Sequence, residues 1–493
     1  MSDAERKNYD AIKALTGNEV ESRLRSYRIG IWSEDKNSGF SGYLIAEALG
    51  EFVGRLWKNI DATGPFAKPF LASAINSTKS GNVQAVINET WSPPYDYVVS
   101  IGSDLPNGTK TGLKIGGSGW KAFVGQKSFI DDDRNPVGPM LVAAIASTEI
   151  FKTLFNDCLA CKFLPPDFEL SAWYGTKDLP PVDLDLHFDD VHFFGIGAVT
   201  HGLLWILERW PYKVTGNLHL IDHDSYDISN AQRYVGMCKE DVGFHKSSQT
   251  AARLQKRHGG LTVFDYQKNM NDYFSENRSD YRVKIAVAGL DSIEGRRQLG
   301  LKLPYRLVNM WTSQEHFGVS RSGFDKNWPC IFCSYPYDKS MLLDEVGIIF
   351  QETGLPPSRI HELLDSGAAL TQEDAAIIIQ RIPQEIQFIV GKPLRTFRGF
   401  QCATGKIKTS AATTEVDIPL VFASGFAGLC GFIELSRELW NVNSIPGAWQ
   451  TSVLAYPTEY SWIQRGKMSD CYLCSDPLVL EIINKKYYDK STI

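Results

Sequence analysis

The sequence has no excess of positive charge and no long apolar run. It contains 51 Lys and Arg residues against 57 Asp and Glu residues, a formal net charge of −6, so a basic surface for nucleic acid is not indicated. It has no run of about 18 apolar residues and no apolar signal region after Met1, which disfavours membrane spanning and secretion. Nine cysteines are an odd count, and we expect reduced thiols in a cytoplasmic protein.

The composition is that of a globular protein with more than one core. The chain has 493 residues, of which 43% are hydrophobic and 12% aromatic. This is enough apolar material for two or three folded domains.

One segment has the pattern of a phosphate-binding turn. The apolar run Val191–Phe194 leads into Gly195, Gly197 and Ala198, which predicts a strand, a glycine turn and a helix. Glycines let the backbone approach a phosphate chain, and the first N–H groups of the helix favour an anion. This loop alone fits a dinucleotide site equally well.

Acidic residues follow the next predicted strand. Asn217–Ile221 ends in Asp222 and Asp224, about 20 residues after the glycines, where a carboxylate can accept a hydrogen bond from a ribose hydroxyl. A dehydrogenase would have the same feature.

The residues beyond this point favour a triphosphate over a nicotinamide. Asn230, Arg233 and Lys246 supply amide and cationic donors, which suit phosphate oxygens. A further predicted strand, Val283–Ala288, is followed by Asp291, a position suited to a magnesium ligand.

In this order and spacing, the residues from Val191 onward resemble the adenylation domain of ubiquitin-activating enzymes and of their bacterial relatives ThiF and MoeB. The resemblance implies that Asp222 binds the ribose of ATP and that Asp291 holds magnesium. It also implies that the phosphates are bound by Asn230, Arg233 and Lys246. The sequence has Ala198 where the family usually has a second glycine.

Two C-x-x-C pairs, Cys330 with Cys333 and Cys471 with Cys474, have the spacing of thiolate pairs in a tetrahedral zinc site. Their long separation matches what the resemblance implies for a structural zinc. The alternative is two pairs of inert buried cysteines. A third pair, Cys158 and Cys161, has no partner pair, and we expect it on one helix face in a core.

The residues before about 175 repeat the strand-and-helix layout without the phosphate loop. Arg28–Trp32 predicts a strand and Tyr43–Trp57 a helix, but Glu34 and Asp35 lie between them, and they would repel a triphosphate. This half resembles the inactive adenylation domain that pairs with the active one in ubiquitin-activating enzymes. An unrelated α/β accessory domain is the alternative. In the family an arginine from the partner domain reaches ATP, and Arg6 is the candidate here.

Cys402 is the candidate nucleophile. Arg395 and Arg398 precede it and would lower its thiol pKa. It also has the position of the family's catalytic cysteine, between the zinc pairs. An ordinary loop thiol remains the alternative, Cys430 lies in a predicted buried helix, and Cys238 is the next candidate.

The predicted fold is α/β, with two Rossmann-like ThiF-type adenylation domains, a helical cysteine insertion and a zinc site. Residues 1–175 form the degenerate domain and 185–333 the first part of the active one. Residues 334–402 form the insertion, with helices at Met341–Phe350, Ser358–Leu364 and Gln372–Ile382, and 403–493 form the second part.

The predicted activity is ATP-dependent activation of a ubiquitin-like protein. The partner's C-terminal carboxylate would be adenylated and then transferred to Cys402 as a thioester. The architecture resembles activating enzymes of bacterial ubiquitination-like (Bil) operons, which act in antiphage defence. No ubiquitin-fold domain follows the second zinc pair before Ile493, so we expect a conjugating enzyme to be recruited differently or not at all. The sequence is compatible with a homodimer and with an intramolecular pseudo-dimer of the two halves.

Two other functions remain open. One is a ThiF- or MoeB-type sulfur-carrier adenylyltransferase in cofactor biosynthesis, and the other is a catalytically dead scaffold. A dead scaffold would not need the intact set of candidate ATP-binding residues, which are Asp222, Asn230, Arg233, Lys246 and Asp291.

Overall fold

A computed structural model gives the fold of the chain. The described residues are 3–16, 20–34, 39–81, 85–174, 179–276, 282–313, 315–324, 328–336, 345–382, 386–394, 397, 419–442, 446–458, 461–471 and 473–488. The chain forms two compact units, Met1–Tyr335 with Pro419–Ile493, and Pro336–Ile418.

The first half of the larger unit is built on a seven-stranded sheet. In chain order its strands are β1 (Arg28–Trp32), β2 (Asn59–Thr63), β3 (Val86–Asn88), β4 (Tyr97–Ile101), β5 (Gly112–Ser118), β6 (Lys121–Val124) and β7 (Phe168–Ser171). Their spatial order is β3-β2-β1-β4-β5-β6-β7. Strands β1 to β5 pair in parallel, and β6 and β7 pair antiparallel. This is a Rossmann-like order, with the chain changing direction between β1 and β4.

Five α-helices of this half lie in the described residues. They are α1 (Asp3–Thr16), α2 (Glu21–Ser26), α3 (Phe40–Leu56), α4 (Ala67–Gly81) and α5 (Val137–Leu154). By length and composition α5 could cross a membrane, but 94% of it is buried inside the protein, as is typical of the core helix of a globular domain.

The second half has an eight-stranded sheet. Its strands are β8 (Leu186–Phe194), β9 (Val214–Ile221), β10 (Gly260–Tyr266), β11 (Ile285–Ala288), β12 (Arg306–Thr312), β13 (His316–Gly323), β14 (Gly447–Ser452) and β15 (Trp462–Gln464). Their order is β10-β9-β8-β11-β12-β13-β14-β15. Strands β8 to β12 pair in parallel and the rest antiparallel. The two parallel-rich sheets confirm the predicted α/β class.

In the part of the chain that the structure describes, five α-helices follow strands of this sheet. They are α6 (Ala198–Arg209), α7 (Lys246–Arg257), α8 (Met270–Glu276), α9 (Ile293–Leu301) and α10 (Ile331–Ser334).

The smaller unit is helical where it is described. Its helices are α11 (Glu345–Thr353), α12 (Pro357–Ser366) and α13 (Gln372–Ile378), and Ile349, Ile360 and Ile378 are part of their shared core. The third helix ends four residues before the predicted end at Ile382. The predicted start at Met341 and Cys402 lie outside the described residues. The predicted domain boundaries stay predictions.

The described residues of the larger unit also include two late helices, α14 (Val421–Leu439) and α15 (Pro477–Tyr487). Helix α14 packs closely on α6, since a Cβ at Gly428 would lie 2.3 Å from the carbonyl oxygen of Val199. It also contacts the first half, where a Cβ at Gly425 would lie 2.5 Å from the ring of Phe52 on α3. The halves therefore share a core around α14.

Candidate functional site

The glycine loop joins β8 to α6 at the carboxyl edge of the second sheet. Gly195 has a φ of +86°, which glycine adopts without strain. A Cβ at Gly195 would lie 2.8 Å from the carbonyl oxygen of Gly289, and one at Gly197 would lie 3.3 Å from it. Ala198 begins α6. The crowding requires glycine at Gly195, and the unpaired N–H groups of the first turn of α6 lie at this corner.

Asp222 lies directly after β9, beside the glycine loop. It is 8% exposed, and its carboxylate accepts hydrogen bonds from the backbone N–H of Ile196 at 2.5 Å and of Asp224 at 2.8 Å. These bonds fix the carboxylate next to the loop, where the sequence predicts a ribose contact.

Lys246 at the start of α7 reaches back to this corner. Its Nζ donates to Asp224 Oδ2 over 2.8 Å. Burial lowers the pKa of Lys246, but the nearby Tyr234, Asp222 and Asp224 more than offset this, and the net pKa is raised. The side chain is therefore a buried, fully charged cation.

Tyr234 connects the glycine loop with two cationic side chains. Its hydroxyl oxygen lies 3.9 Å from the position of a Cβ at Gly197. The guanidinium carbon of Arg233 lies 5.5 Å from the ring centroid, and Nζ of Lys246 lies 5.6 Å from it. Arg233 and Lys246 therefore both lie near the ring of Tyr234, whose hydroxyl is close to the glycine loop, and cations beside a helix N-terminus suit a polyphosphate.

Asn230 closes a short 3₁₀ turn, Ile228–Asn230. Its Oδ1 accepts from the backbone N–H of Asp227 over 3.0 Å, and Asp227 Oδ1 accepts from the N–H of Ser229 over 2.8 Å. Because Oδ1 is used within the turn, the group of Asn230 that could meet a phosphate is Nδ2.

Asp291 follows β11, which is parallel to and paired with β8. It is exposed. The N–H of Gly289 donates to the carbonyl of Phe194 over 2.9 Å, and the carbonyl of Leu290 accepts from Arg296 over 2.7 Å. These bonds hold the loop that carries Asp291 against the glycine loop, so the carboxylate lies at the same sheet edge as the other predicted residues.

The first half contributes a lysine that the sequence pattern did not identify. Nζ of Lys7 on α1 donates to Ser229 Oγ over 2.9 Å, one residue before Asn230. Arg6, the predicted contributor, is exposed, whereas Lys7 is half-buried. No local motif marks Lys7, because its role depends on how α1 packs on the second half.

The corresponding helix end of the first half is filled by the chain itself. The N–H of Ser41 in α3 donates to the carbonyl of Asp131 over 3.0 Å, and the N–H of Asp131 donates to Ser41 Oγ over 2.9 Å. A Cβ at Gly39 would lie 2.7 Å from the Asp131 carbonyl oxygen. The prediction that the first half is a degenerate, non-adenylating domain stays a prediction. Asp35 lies outside the described residues.

The two C-x-x-C pairs come together. Sγ atoms of Cys330 and Cys471 are 3.5 Å apart, as are those of Cys333 and Cys474, and all four sulfur atoms lie within 4.8 Å of one another. Tetrahedral Zn–S bonds of about 2.3 Å separate sulfurs by about 3.8 Å. The cluster therefore fits a Cys₄ zinc site.

The remaining cysteines differ from expectation in one case. Cys158 and Cys161 lie in the loop after α5 and not on a helix face, so that prediction was wrong. Arg23 Nη1 donates to Cys158 Sγ over 3.0 Å. Cys430 is buried within α14, as predicted.

Among the candidate nucleophiles, Cys402 lies outside the described residues, as do Arg395 and Arg398. Cys238 is described. Burial, and then the carboxylate of Asp241, raise the pKa of its thiol to about 11, so it is a thiol at neutral pH and a poor nucleophile.

Comparison with known proteins gives a family match for part of the second half. The model of the ThiF family matches residues 188–339. The uncharacterized protein y4jF of Sinorhizobium fredii is 28% identical over 352 residues, 68% of this chain and 67% of that protein. The crystal structure of E. coli MccB with selenomethionine MccA covers 59% of this chain and 67% of that chain, at 14% identity and a TM-score of 0.34.

Two eukaryotic relatives are similar over shorter stretches. The NEDD8-activating enzyme E1 catalytic subunit of Dictyostelium discoideum is 38% identical over 149 residues, 30% of this chain and 32% of that protein. That of Arabidopsis thaliana is 32% identical over 83 residues, 17% of this chain and 18% of that protein. The matches span a third or less of these two subunits. Residues 188–339 match the ThiF family, and these similarities support the superfamily of ubiquitin-activating enzymes, ThiF and MoeB for this part of the chain.

Proposed function

We propose that this E1-like adenylyltransferase activates the C-terminal carboxylate of a ubiquitin-like protein with Mg·ATP and transfers the acyl group to Cys402. The observation that supports this most directly is that Arg233 and Lys246 each lie near the ring of Tyr234, whose hydroxyl is close to the glycine loop. Two cations at a helix N-terminus, with Asp222 at the end of the neighbouring strand, suit a nucleoside triphosphate.

In the first step, a carboxylate oxygen of the partner attacks the α-phosphorus of ATP. The bond from the α-phosphorus to the bridging oxygen breaks, and pyrophosphate leaves with its electron pair. Arg233 and Lys246 oppose the charge that develops on the phosphate oxygens, and Asp222 orients the ribose. Asp291 is the residue that would hold magnesium, which neutralises phosphate charge when bound.

In the second step, the thiolate of Cys402 attacks the acyl carbon of the adenylate. The acyl–oxygen bond breaks, AMP leaves, and a thioester remains. The raised pKa of Cys238 favours Cys402 over Cys238 for this step, because only a thiolate attacks efficiently.

The four cysteines would hold a structural zinc. Four thiolates leave no open position for a substrate. Such an ion would tie the segment before α15 to the segment after β13, since Cys471 and Cys474 belong to the former and Cys330 and Cys333 to the latter.

The biological setting we propose is a bacterial ubiquitination-like antiphage system in the cytoplasm. The partners would be a ubiquitin-like protein and a conjugating enzyme. The paired halves of this chain would supply what two subunits supply in homodimeric ThiF and MoeB.

ATP–pyrophosphate exchange tests the proposal. The purified chain is incubated with Mg·ATP, labelled pyrophosphate and a candidate ubiquitin-like protein. We expect exchange that depends on the partner, and a thioester-linked adduct on a non-reducing gel. Exchange without an adduct would indicate the sulfur-carrier adenylyltransferase, and no exchange with any such partner would indicate a scaffold.

A further inference from the structure

An ion pair on α3 of the first half reaches into the second half. Arg55 Nη2 lies 2.8 Å from Glu51 Oε2, one helical turn earlier. Arg55 is fully buried and Glu51 is 6% exposed. Burial raises the pKa of Glu51, but Arg55 and the backbone N–H of Gly236 more than offset this, and the net pKa is lowered. The carboxylate of Glu51 is therefore ionised beside the guanidinium of Arg55.

The pair holds both ends of one segment of the second half. Arg55 donates through Nη1 to the carbonyl of Ala231 and through Nη2 to the carbonyl of Met237, the latter at 2.9 Å. Glu51 Oε2 accepts from the N–H of Gly236 over 2.8 Å. We call Ala231–Met237 the clamped segment.

The clamped segment carries the groups that meet at the candidate nucleotide site. Arg233 and Tyr234 lie within it. Ala231, Tyr234 and Met237 form a small buried cluster with Tyr226, and Ala198, the first residue of α6, packs against this cluster. The planar guanidinium can donate to two carbonyls in fixed directions, which a lysine ammonium cannot do with the same rigidity.

A buried ion pair is a weak source of stability, because the cost of removing two charges from water roughly cancels their attraction. The contacts of this pair instead fix a backbone conformation. We propose that Glu51 and Arg55 are positioning residues for ATP, through which the first half sets the place of Arg233 and Tyr234. This inference rests on the proposed adenylation function.

The test compares two double variants that each remove one buried ion pair from the first half. Glu51→Leu/Arg55→Met removes the clamp. Glu149→Leu/Lys152→Met removes the matched pair on α5, which is also buried and contacts Lys162 and Ala455 rather than the clamped segment. Mg·ATP binding is measured by isothermal titration calorimetry on the full chain, together with the melting temperature and the amide exchange of a peptide covering the clamped segment.

We expect Mg·ATP binding to weaken about tenfold to a hundredfold in the clamp variant, since misplacing a binding group has effects of that size. Amide exchange in the clamped segment should accelerate at an unchanged melting temperature. The control variant should bind as wild type. If the clamp variant fails to fold, Arg55→Lys replaces it, because it keeps the charge but cannot span both carbonyls.

Wild-type affinity in the folded clamp variant would overturn the inference, and so would an equal loss in both double variants. These outcomes differ from failure of the proposed function. If the wild-type chain itself does not bind Mg·ATP at millimolar concentration, adenylation is wrong and the positioning role falls with it.

Discussion

Lys7 and Ser229 are joined by a 2.9 Å hydrogen bond, although 222 residues separate them in the chain. The bond connects α1 of the first half with the turn that carries Asn230. A cation from one half therefore lies at the candidate phosphate site of the other, and it comes from the residue next to the predicted Arg6.

The first prediction compares these two neighbours. Lys7→Ala should lower the rate of partner-dependent ATP–pyrophosphate exchange about tenfold or more, since a charge-assisted hydrogen bond contributes about 1.5–3 kcal/mol. Arg6→Ala is the matched control on the same helix, and it should change the rate less than twofold. Equal rates for both variants would contradict a special role of Lys7, and a larger loss with Arg6→Ala would support the prediction of Arg6.

The second prediction concerns Asp291. Asp291→Ala should abolish partner-dependent exchange and leave the fold intact, because it removes the carboxylate that would hold the metal at the phosphates. Asp132→Ala, an exposed aspartate in the first half, is the control and should exchange as wild type. Circular dichroism checks folding. Exchange at the wild-type rate in folded Asp291→Ala would show that the metal is held elsewhere.

The sequence predicted the parts of the site that have local patterns. The turn at Gly195, the acidic residue after β9 and the aspartate after β11 each follow a strand within a few residues, and parallel strands bring their carboxyl ends to one edge. Lys7, Glu51 and Arg55 could not be found in this way. They act through tertiary contacts between distant segments, and nothing in their local sequence distinguishes them from surface charges.

The cysteines show where a sequence spacing predicts the structure and where it does not. The pairing of Cys330 and Cys333 with Cys471 and Cys474 was predictable because C-x-x-C spacing has a known geometric use. The same spacing at Cys158 and Cys161 gave the wrong expectation of a helix face, since α5 ends at Leu154. Spacing alone does not determine whether the backbone is helical.

The third prediction is that the chain contains one structural zinc. Elemental analysis of protein purified without chelator should give about one zinc per chain, since four thiolates bind zinc tightly. Cys471→Ser should lower both the zinc content and the melting temperature, whereas Cys161→Ser, the control, should change neither. Less than half a zinc per chain would contradict the assignment.

The fourth prediction is acid sensitivity from a buried histidine. The ring of His192 stacks 4.2 Å from that of His219, and burial, then His219, lower the pKa of His192 to about 3. An unfolded histidine has a pKa of about 6.5. The unfolded chain therefore binds more protons as pH falls below that value. The stability that neutral His192 contributes is complete above about pH 6.5 and is lost progressively toward about pH 3.

The free energy of unfolding is measured by urea unfolding at several pH values between about pH 7 and pH 4. The fall in stability with acid should be smaller in His192→Gln than in wild type, while His223→Gln, the control at an exposed histidine, should keep the wild-type slope. An unchanged slope in His192→Gln would mean that other groups cause the acid sensitivity.

The last prediction separates the two enzyme functions and depends on Cys402. Cys402→Ala should retain ATP–pyrophosphate exchange but lose the reducible adduct with the ubiquitin-like protein, because adenylation and acyl transfer use different groups. The measurement is a non-reducing gel of enzyme, Mg·ATP and partner, with and without thiol reductant. Cys238→Ala is the control, and its raised thiol pKa predicts an adduct at the wild-type level. An adduct that survives Cys402→Ala and disappears in Cys238→Ala would assign the thioester to Cys238, and its absence from wild type would favour the sulfur-carrier adenylyltransferase.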